Sequence, residues 1–314
     1  MKVVLDLTKL VADGKITAAQ ARELQSLAGT DTSLLAISIM MAFGVIAIAA
    51  GILALLPTIA TALAIGLVLV AAGLAVALWA GPQWSLLGTA LTITGALISA
   101  GGIFGLSPVH WVAFAAAAAL FLGLAVAIRS GLLSALAVLA LGGLMGSSTG
   151  YDFATYFLEV QEPSITIAVF SLLALAAYLV GRKAPADYER VAFTFSRISL
   201  VMVNFGFWVG SLWGDNPGHS WRPGSPPEHH IPDLVFVAGW AVALVAVGVW
   251  AARVNRRFVV NMAATFGAIH FYTQWFERLG AAPLTITLAG LIVVAIAVGL
   301  WRYNAIPQRA PMAV

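Results

Sequence analysis

An all-α, polytopic transmembrane bundle of about ten helices is the fold class this sequence predicts, and three observations predict it. Hydrophobic residues make up 61% of the 314 and charged residues 9%, with a mean hydropathy of +0.97. Sixteen basic and 13 acidic side chains could not cover the surface of a soluble protein of this size. The apolar residues are gathered into uncharged segments of the ~20 residues that span a ~30 Å hydrocarbon core at ~1.5 Å per residue. The basic residues fall almost entirely on one side of those segments. Together these exclude a soluble enzyme, a disordered chain and a coiled coil. An outer-membrane barrel is excluded too, because its strands alternate apolar and polar residues while these segments are apolar all round.

Residues 1–33 come first and read as a small cytoplasmic helical hairpin. Leu5, Leu7, Leu10 and Val11 give its first helix an apolar side, and Gly14 suits the stop. Thr17 and Gln20 form a capping box for the second helix, whose Ala21, Leu24 and Ala28 share a face. The transmembrane bundle, 34–301, then holds ten segments: 34–56, 58–79, 84–106, 109–128, 131–149, 163–181, 192–213, 233–252, 257–276 and 281–301. Pro57 splits the first pair and Ser107-Pro108 the next, so both must be tight helical hairpins. A short cytoplasmic tail, 302–314, closes the chain. The first apolar run starts near Leu34 behind a charged stretch, which is not the pattern of a cleavable signal peptide.

Charge sets the orientation. With both termini inside, the inner segments carry 14 basic residues, among them Arg129, Arg182, Arg197, Arg253, Arg256 and Arg257. The outer loops carry two, Arg222 and Arg278. That asymmetry is the positive-inside pattern of a multi-pass protein in the bacterial cytoplasmic (inner) membrane, and it accounts for the net charge of +3 without nucleic acid as a partner. Dividing the spans five plus five at the acidic 150–162 loop would give halves of opposite orientation, the logic of many inverted-repeat carriers. Four outside-to-inside helices also end alike, from GLAVALW at 73–79 to IAVGLWR at 296–302. Duplication explains that likeness, and so does the Trp or Arg anchor expected wherever a helix leaves the core inward.

Some of these residues resemble a known family. LVADGKITAAQARELQSLA (10–28) is similar to the N-terminal G-x-I-[ST]-x-x-Q-A hairpin of a large, uncharacterised group of prokaryotic multi-pass membrane proteins, known only as a domain of unknown function. Residues 95–141, with Arg129-Ser130 before a span, and 257–280 share its cadence. The polar aromatic turn common in that group after its third helix is replaced here by Ile103-Phe104-Gly105-Leu106-Ser107-Pro108. The resemblance implies a membrane bundle and no activity.

Three constellations stand out. Gly88, Thr92, Gly95, Ser99 and Gly102 alternate at spacings of four and three, a seam of small residues that lets another backbone approach closely; packing and a groove for a lipid, quinone or solute are both open. The external loop 214–232 holds His219, His229 and His230, with Asp233 at its end; imidazole and carboxylate suit zinc or copper, yet the adjacent histidines and five prolines fit no zinc spacing. Within the bilayer, His270 shares a helix with Asn261 and a face with Gln274, while Asn204 lies on another span. An intramembrane histidine is a functional candidate, and a neutral histidine bonded between helices satisfies the same facts. Tyr151, Tyr156, Trp208, Trp213, Tyr272 and Trp275 crowd the outer boundary as interfacial anchors.

Catalytic signatures are missing: no HExxH, no GxSxG, no phosphate-cradling glycine loop, and no cysteine. The sequence therefore predicts no enzyme, no cofactor and no committed metal site. It predicts an accessory, scaffold or assembly subunit, with the lipid bilayer and either a membrane-protein partner or a second copy as its contacts. The alternative is a small-solute or lipid-like transporter or facilitator; the absence of Asp, Glu, Lys or Arg at the midplane argues against ion coupling but not against facilitation.

Overall fold

Backbone groups in a water-free core must be satisfied within their own segment, so long apolar uncharged stretches fold as helices. The computed structural model describes residues 7–21, 24, 31–81, 84–107, 109–152, 155–218 and 229–305. Among the described residues the chain forms α1 (Leu7–Ala12), α2 (Asp31–Leu55), α3 (Ile59–Trp79), α4 (Ser85–Leu106), α5 (His110–Ala127) and α6 (Gly131–Leu144). Then come β1 (Ser147–Asp152), β2 (Thr155–Val160), α7 (Pro163–Lys183), α8 (Ala186–Trp213), α9 (Asp233–Arg253), α10 (Arg257–Leu279) and α11 (Pro283–Ala305). Seven of these helices (α3, α4, α5, α7, α8, α9 and α11) are long and apolar enough to cross a membrane, which makes this a multi-pass helical membrane protein.

The remaining segments differ from the expectation in instructive ways. The segment read as 131–149 is helical only to Leu144: 14 residues rise roughly 21 Å, short of a full core. Gly142, Gly143 and the left-handed Gly146 (φ 78°) weaken the helix there. The chain turns instead into an antiparallel hairpin pairing Ser147 with Val160 and Asp152 with Thr155. Thr, Tyr, Phe and Val at its positions favour strand, so part of the expected 150–162 loop forms a two-stranded hairpin within an otherwise helical fold. α10 is long enough to cross but carries Asn261, Thr265, His270, Thr273 and Gln274; its Met262 and Phe266 are buried with Trp240 of α9 rather than given to lipid.

Two compact units divide the chain, Met1–Leu133 and Ser134–Val314. The boundary falls at the start of α6. The Ser134 hydroxyl donates to the Val191 carbonyl of α8 at 2.9 Å, which fixes α6 to the second unit.

In the first unit, the capping box closes as the sequence requires. Thr17 N–H donates to Gln20 Oε1 at 2.9 Å, and Gln20 N–H donates back to Thr17 Oγ1 at 3.2 Å. Positions 22, 23 and 25–30 of the expected second helix lie outside the described residues, as do 306–314 of the tail. α3 and α4 form a close antiparallel hairpin, and α2 lays Ala42 and Ala49 against Leu69, Leu87 and Leu91. Phe104 meets Phe114 of α5 edge-on at 4.8 Å. Arg129 takes a left-handed conformation (φ 54°) at the α5–α6 turn, and the Ser130 hydroxyl then accepts from Leu133 N–H.

The second unit is built on the α7–α8 hairpin. Gly181 opposes Phe193, Gly206 opposes Ile167, and the Ser196 hydroxyl donates to the Ala174 carbonyl at 2.8 Å, so the two backbones run close together. α9 packs on α8 and α10, and α10 on α11. At the Pro163 end two buried carboxylates act as clasps. Asp215 accepts from Ser164 N–H at 2.8 Å, and Glu162 accepts from Gly218 N–H at 2.7 Å. A backbone bridge between Asp215 and Ile231 joins the end of α8 to the start of α9.

Candidate functional site

Polar side chains of α8, α9 and α10 meet in one triangle of helices. Asn204 of α8 is buried; its amide nitrogen donates to the Leu200 carbonyl at 2.8 Å and its oxygen accepts from the Trp240 indole of α9 at 2.9 Å. The Trp240 ring stands edge-on to His270 of α10, 4.9 Å between centroids. The third side is the Trp208 indole of α8 donating to Thr273 Oγ1 at 3.1 Å. Each of the three helices is thus tied to the other two by a polar or ring contact. One turn beyond His270, Gln274 accepts from Arg278 Nε at 3.3 Å. Three buried nitrogens on this stretch of α10 lack a hydrogen-bond partner: His270 Nδ1, Gln274 Nε2 and Trp275 Nε1. Asn261 lies two to three turns from His270 along α10, and its carbonyl accepts from Thr265 Oγ1.

Below the triangle the helices part. A void of about 50 Å³ sits beside Asn204 and Trp240, with Leu200 and Val247 in its wall. Leu200 and Val247 also line a much larger cleft of about 440 Å³ between α7, α8, α9 and the start of α10. Its other wall is apolar, with Ala174 buried, Leu200 half-buried, and Leu175 and Val247 exposed at the mouth. Its outer rim is cationic and aromatic. Arg197 lies over the Phe258 ring at 4.9 Å. Arg256 lies over Tyr178 and Phe193 at 5.6 and 5.9 Å and donates to the Tyr178 hydroxyl at 3.4 Å. Arg257 joins them. Asn255 takes φ 56° in the α9–α10 turn, a conformation that asparagine tolerates well, and this swings the N-terminus of α10 onto the rim.

The small-residue seam lies elsewhere, in the first unit. Gly88, Thr92, Gly95, Ser99 and Gly102 are all buried and turn toward α3. A Cβ on Gly95 would stand 2.6 Å from Val70 N and 2.7 Å from the Gly66 carbonyl, and one on Gly88 would stand 2.7 Å from Ala77 N. Thr92 satisfies its hydroxyl on the Gly88 carbonyl at 2.8 Å. α3 fills the space where a groove would have to be.

Of the histidine loop, only residues 214–218 and 229–232 are among those described. His219 lies outside the described residues. His229 and His230 are exposed, His230 meeting Asn216 at 3.1 Å, and Asp233 opens α9. Among the described residues no three His, Cys, Asp or Glu side chains come together as a metal site.

Two features escaped the sequence reading. Glu162 and Asp215 looked like ordinary loop acids, although each adjoins a proline- or glycine-marked helix end. The arginine rim was absorbed into the positive-inside pattern, and its signal was the pairing of Arg197 with the Arg-x-x-Arg-Arg run at 253–257 across two hairpin ends. No family model matches the chain, and neither a curated protein nor a solved structure matches it.

Proposed function

We propose that this chain is a multi-pass protein of the bacterial cytoplasmic membrane, both termini inside, with all ten apolar segments in the bilayer, that binds and passes a lipid-like or small amphipathic solute. The cleft between α7, α8, α9 and α10 carries this reading. It joins a charged, aromatic rim to an apolar wall, and two of its lining residues, Leu200 and Val247, also border the small void beside Asn204 and Trp240. Its volume of about 440 Å³ fits a ligand site, and no catalytic pairing of side chains accompanies it. Facilitation therefore suits it better than chemistry. Native mass spectrometry after gentle extraction tests the reading. The full chain should retain a small amphipathic adduct, and Leu175→Trp or Val247→Trp, which add bulk to the apolar wall, should abolish it. A wild-type protein that carries no adduct in any mild detergent would end this proposal.

The second reading, an accessory or assembly subunit, draws on α11. That helix packs chiefly on α10 and exposes Leu284, Ile286, Leu291, Val294 and Trp301, a face able to meet a partner helix or a second copy. A stoichiometric protein partner in the same spectra, lost on substitution of Leu291 by Gln, would favour it. Membership of the uncharacterised family with the G-x-I-[ST]-x-x-Q-A hairpin is likewise proposed on residues 14–21 and 95–141.

A further inference from the structure

We infer that the cleft selects the phosphate headgroup of an anionic phospholipid, drawn from the leaflet at the Arg256 end, with an acyl chain along the Leu175–Val247 wall. The inference rests on the reading of the cleft as an amphiphile site and names its ligand class. Three guanidinium groups and the Asn255 amide line the cleft, and no carboxylate does. A pocket with that balance, between helices at the basic end of a membrane protein, attracts anionic headgroups. The arginines present their donors in a suitable way. The guanidinium carbon of Arg197 lies over Phe258, and that of Arg256 over Tyr178 and Phe193. A guanidinium carries five N–H donors in a planar fork that matches a phosphate, and Arg256 spends one of them on the Tyr178 hydroxyl. The N-terminus of α10, residues Arg257 to Val259, lines the same rim and adds the positive end of a 23-residue helix.

The apolar wall decides between the two sources of a phosphate. From Tyr178 to Ser171 the cleft runs seven residues along α7, roughly 10 Å of length at ~1.5 Å per residue, with Ser171 and Leu175 exposed. A free phosphate ion would use the rim alone and make no use of the apolar wall of Ala174, Leu175, Leu200 and Val247. A phospholipid fills both.

The test uses the full chain in nanodiscs of equal parts phosphatidylglycerol and phosphatidylcholine, with retained lipid read by native mass spectrometry. Wild type should retain phosphatidylglycerol in preference. Arg197→Gln and Arg256→Gln should each lower that preference about fivefold, the equivalent of ~1 kcal/mol per basic residue near an anionic surface. Arg182→Gln, outside the cleft, should leave it unchanged. Because Arg256 also bonds Tyr178, thermal midpoints in neutral lipid are compared, and Arg197→Lys, which keeps charge but loses the fork, should retain an intermediate preference. Equal retention of both lipids in wild type would overturn the headgroup assignment while leaving an amphiphile site. Loss of all adducts would overturn both. Displacement of phosphatidylglycerol by excess inorganic phosphate, with phosphate bound equally in lipid-free detergent, would overturn the lipid as source.

Discussion

Replacing Gly95 by alanine should weaken the α3–α4 hairpin, and the structure sets the size of the effect. The new methyl carbon would stand 2.6 Å from Val70 N, 2.7 Å from the Gly66 carbonyl and 2.8 Å from Leu69 Cβ. Ordinary contact begins near 3.4 Å, so the helices must part by about 0.8 Å (3.4 − 2.6) or bend. Backbone atoms cannot rotate aside as a side-chain tip can. A gap of that order forfeits about a quarter to a half of each neighbouring dispersion contact, and overpacking of this kind costs about 1–3 kcal/mol. Alanine's better helix propensity returns at most ~1 kcal/mol. Gly101, on the same helix, supplies the control, since a Cβ there meets nothing within 4 Å. Both substitutions gain the propensity and only one incurs the clash. Gly95→Ala should thus be less stable than Gly101→Ala by about 1–3 kcal/mol, measured by circular dichroism in mixed micelles of rising SDS fraction. Gly95→Leu should be worse again. If Gly95→Ala unfolds at the same SDS fraction as Gly101→Ala or above it, the close-approach argument is wrong.

Three other outcomes follow from the second unit and the charge pattern. Asn204→Leu strands the buried Trp240 indole and should cost about 1–2 kcal/mol, while adding Trp240→Phe should recover part of it; additive losses would show that the bond contributes nothing. His270→Gln removes the ring that meets Trp240 at 4.9 Å and should cost about 1 kcal/mol, whereas His270→Phe keeps the ring and removes the unpartnered Nδ1, so it should be better tolerated. Equal losses for Gln and Phe would point instead to a specific role for the imidazole. In whole cells, Ala186→Cys should resist an impermeant thiol reagent and His229→Cys should react with it, since the chain has no native cysteine; labelling at 186 from outside would reverse the proposed orientation.

Much of the helical scaffold was legible because composition alone dictates it. From 34–56 to 281–301, each apolar segment carries a helix, and Gly88 through Gly102 announced a close approach by spacing alone. Legibility ended where structure depends on what lies across the fold. The β-hairpin at 147–160 was hidden in a stretch whose Ser, Gly and Asp looked like loop, and its strand pairing is visible only once Val160 is seen opposite Ser147. Nothing local marked Asn204 as the partner of Trp240, 36 residues away. Arg197, Arg256 and Arg257 were read as anchors, which is how isolated basic residues at helix ends usually behave. Their convergence needed α8 and α10 to bring two separate turns together.

The clasps at the Pro163 end bear on how the opposite end can move. Asp215 and Ile231 pin the start of α9, and Glu162 holds Gly218, so that end of the assembly behaves as a pivot. Trp250 lies 17 residues along α9 from Asp233, roughly 25 Å at ~1.5 Å per residue. Tilting α9 by about 5° around the pivot would sweep Trp250 through roughly 2 Å while residues near Asp233 scarcely shift. Small angular play at a fixed fulcrum is thereby magnified at the arginine rim. Such a tilt would displace the Trp250 side of the cleft while the hydrogen bonds within α9 stayed in place.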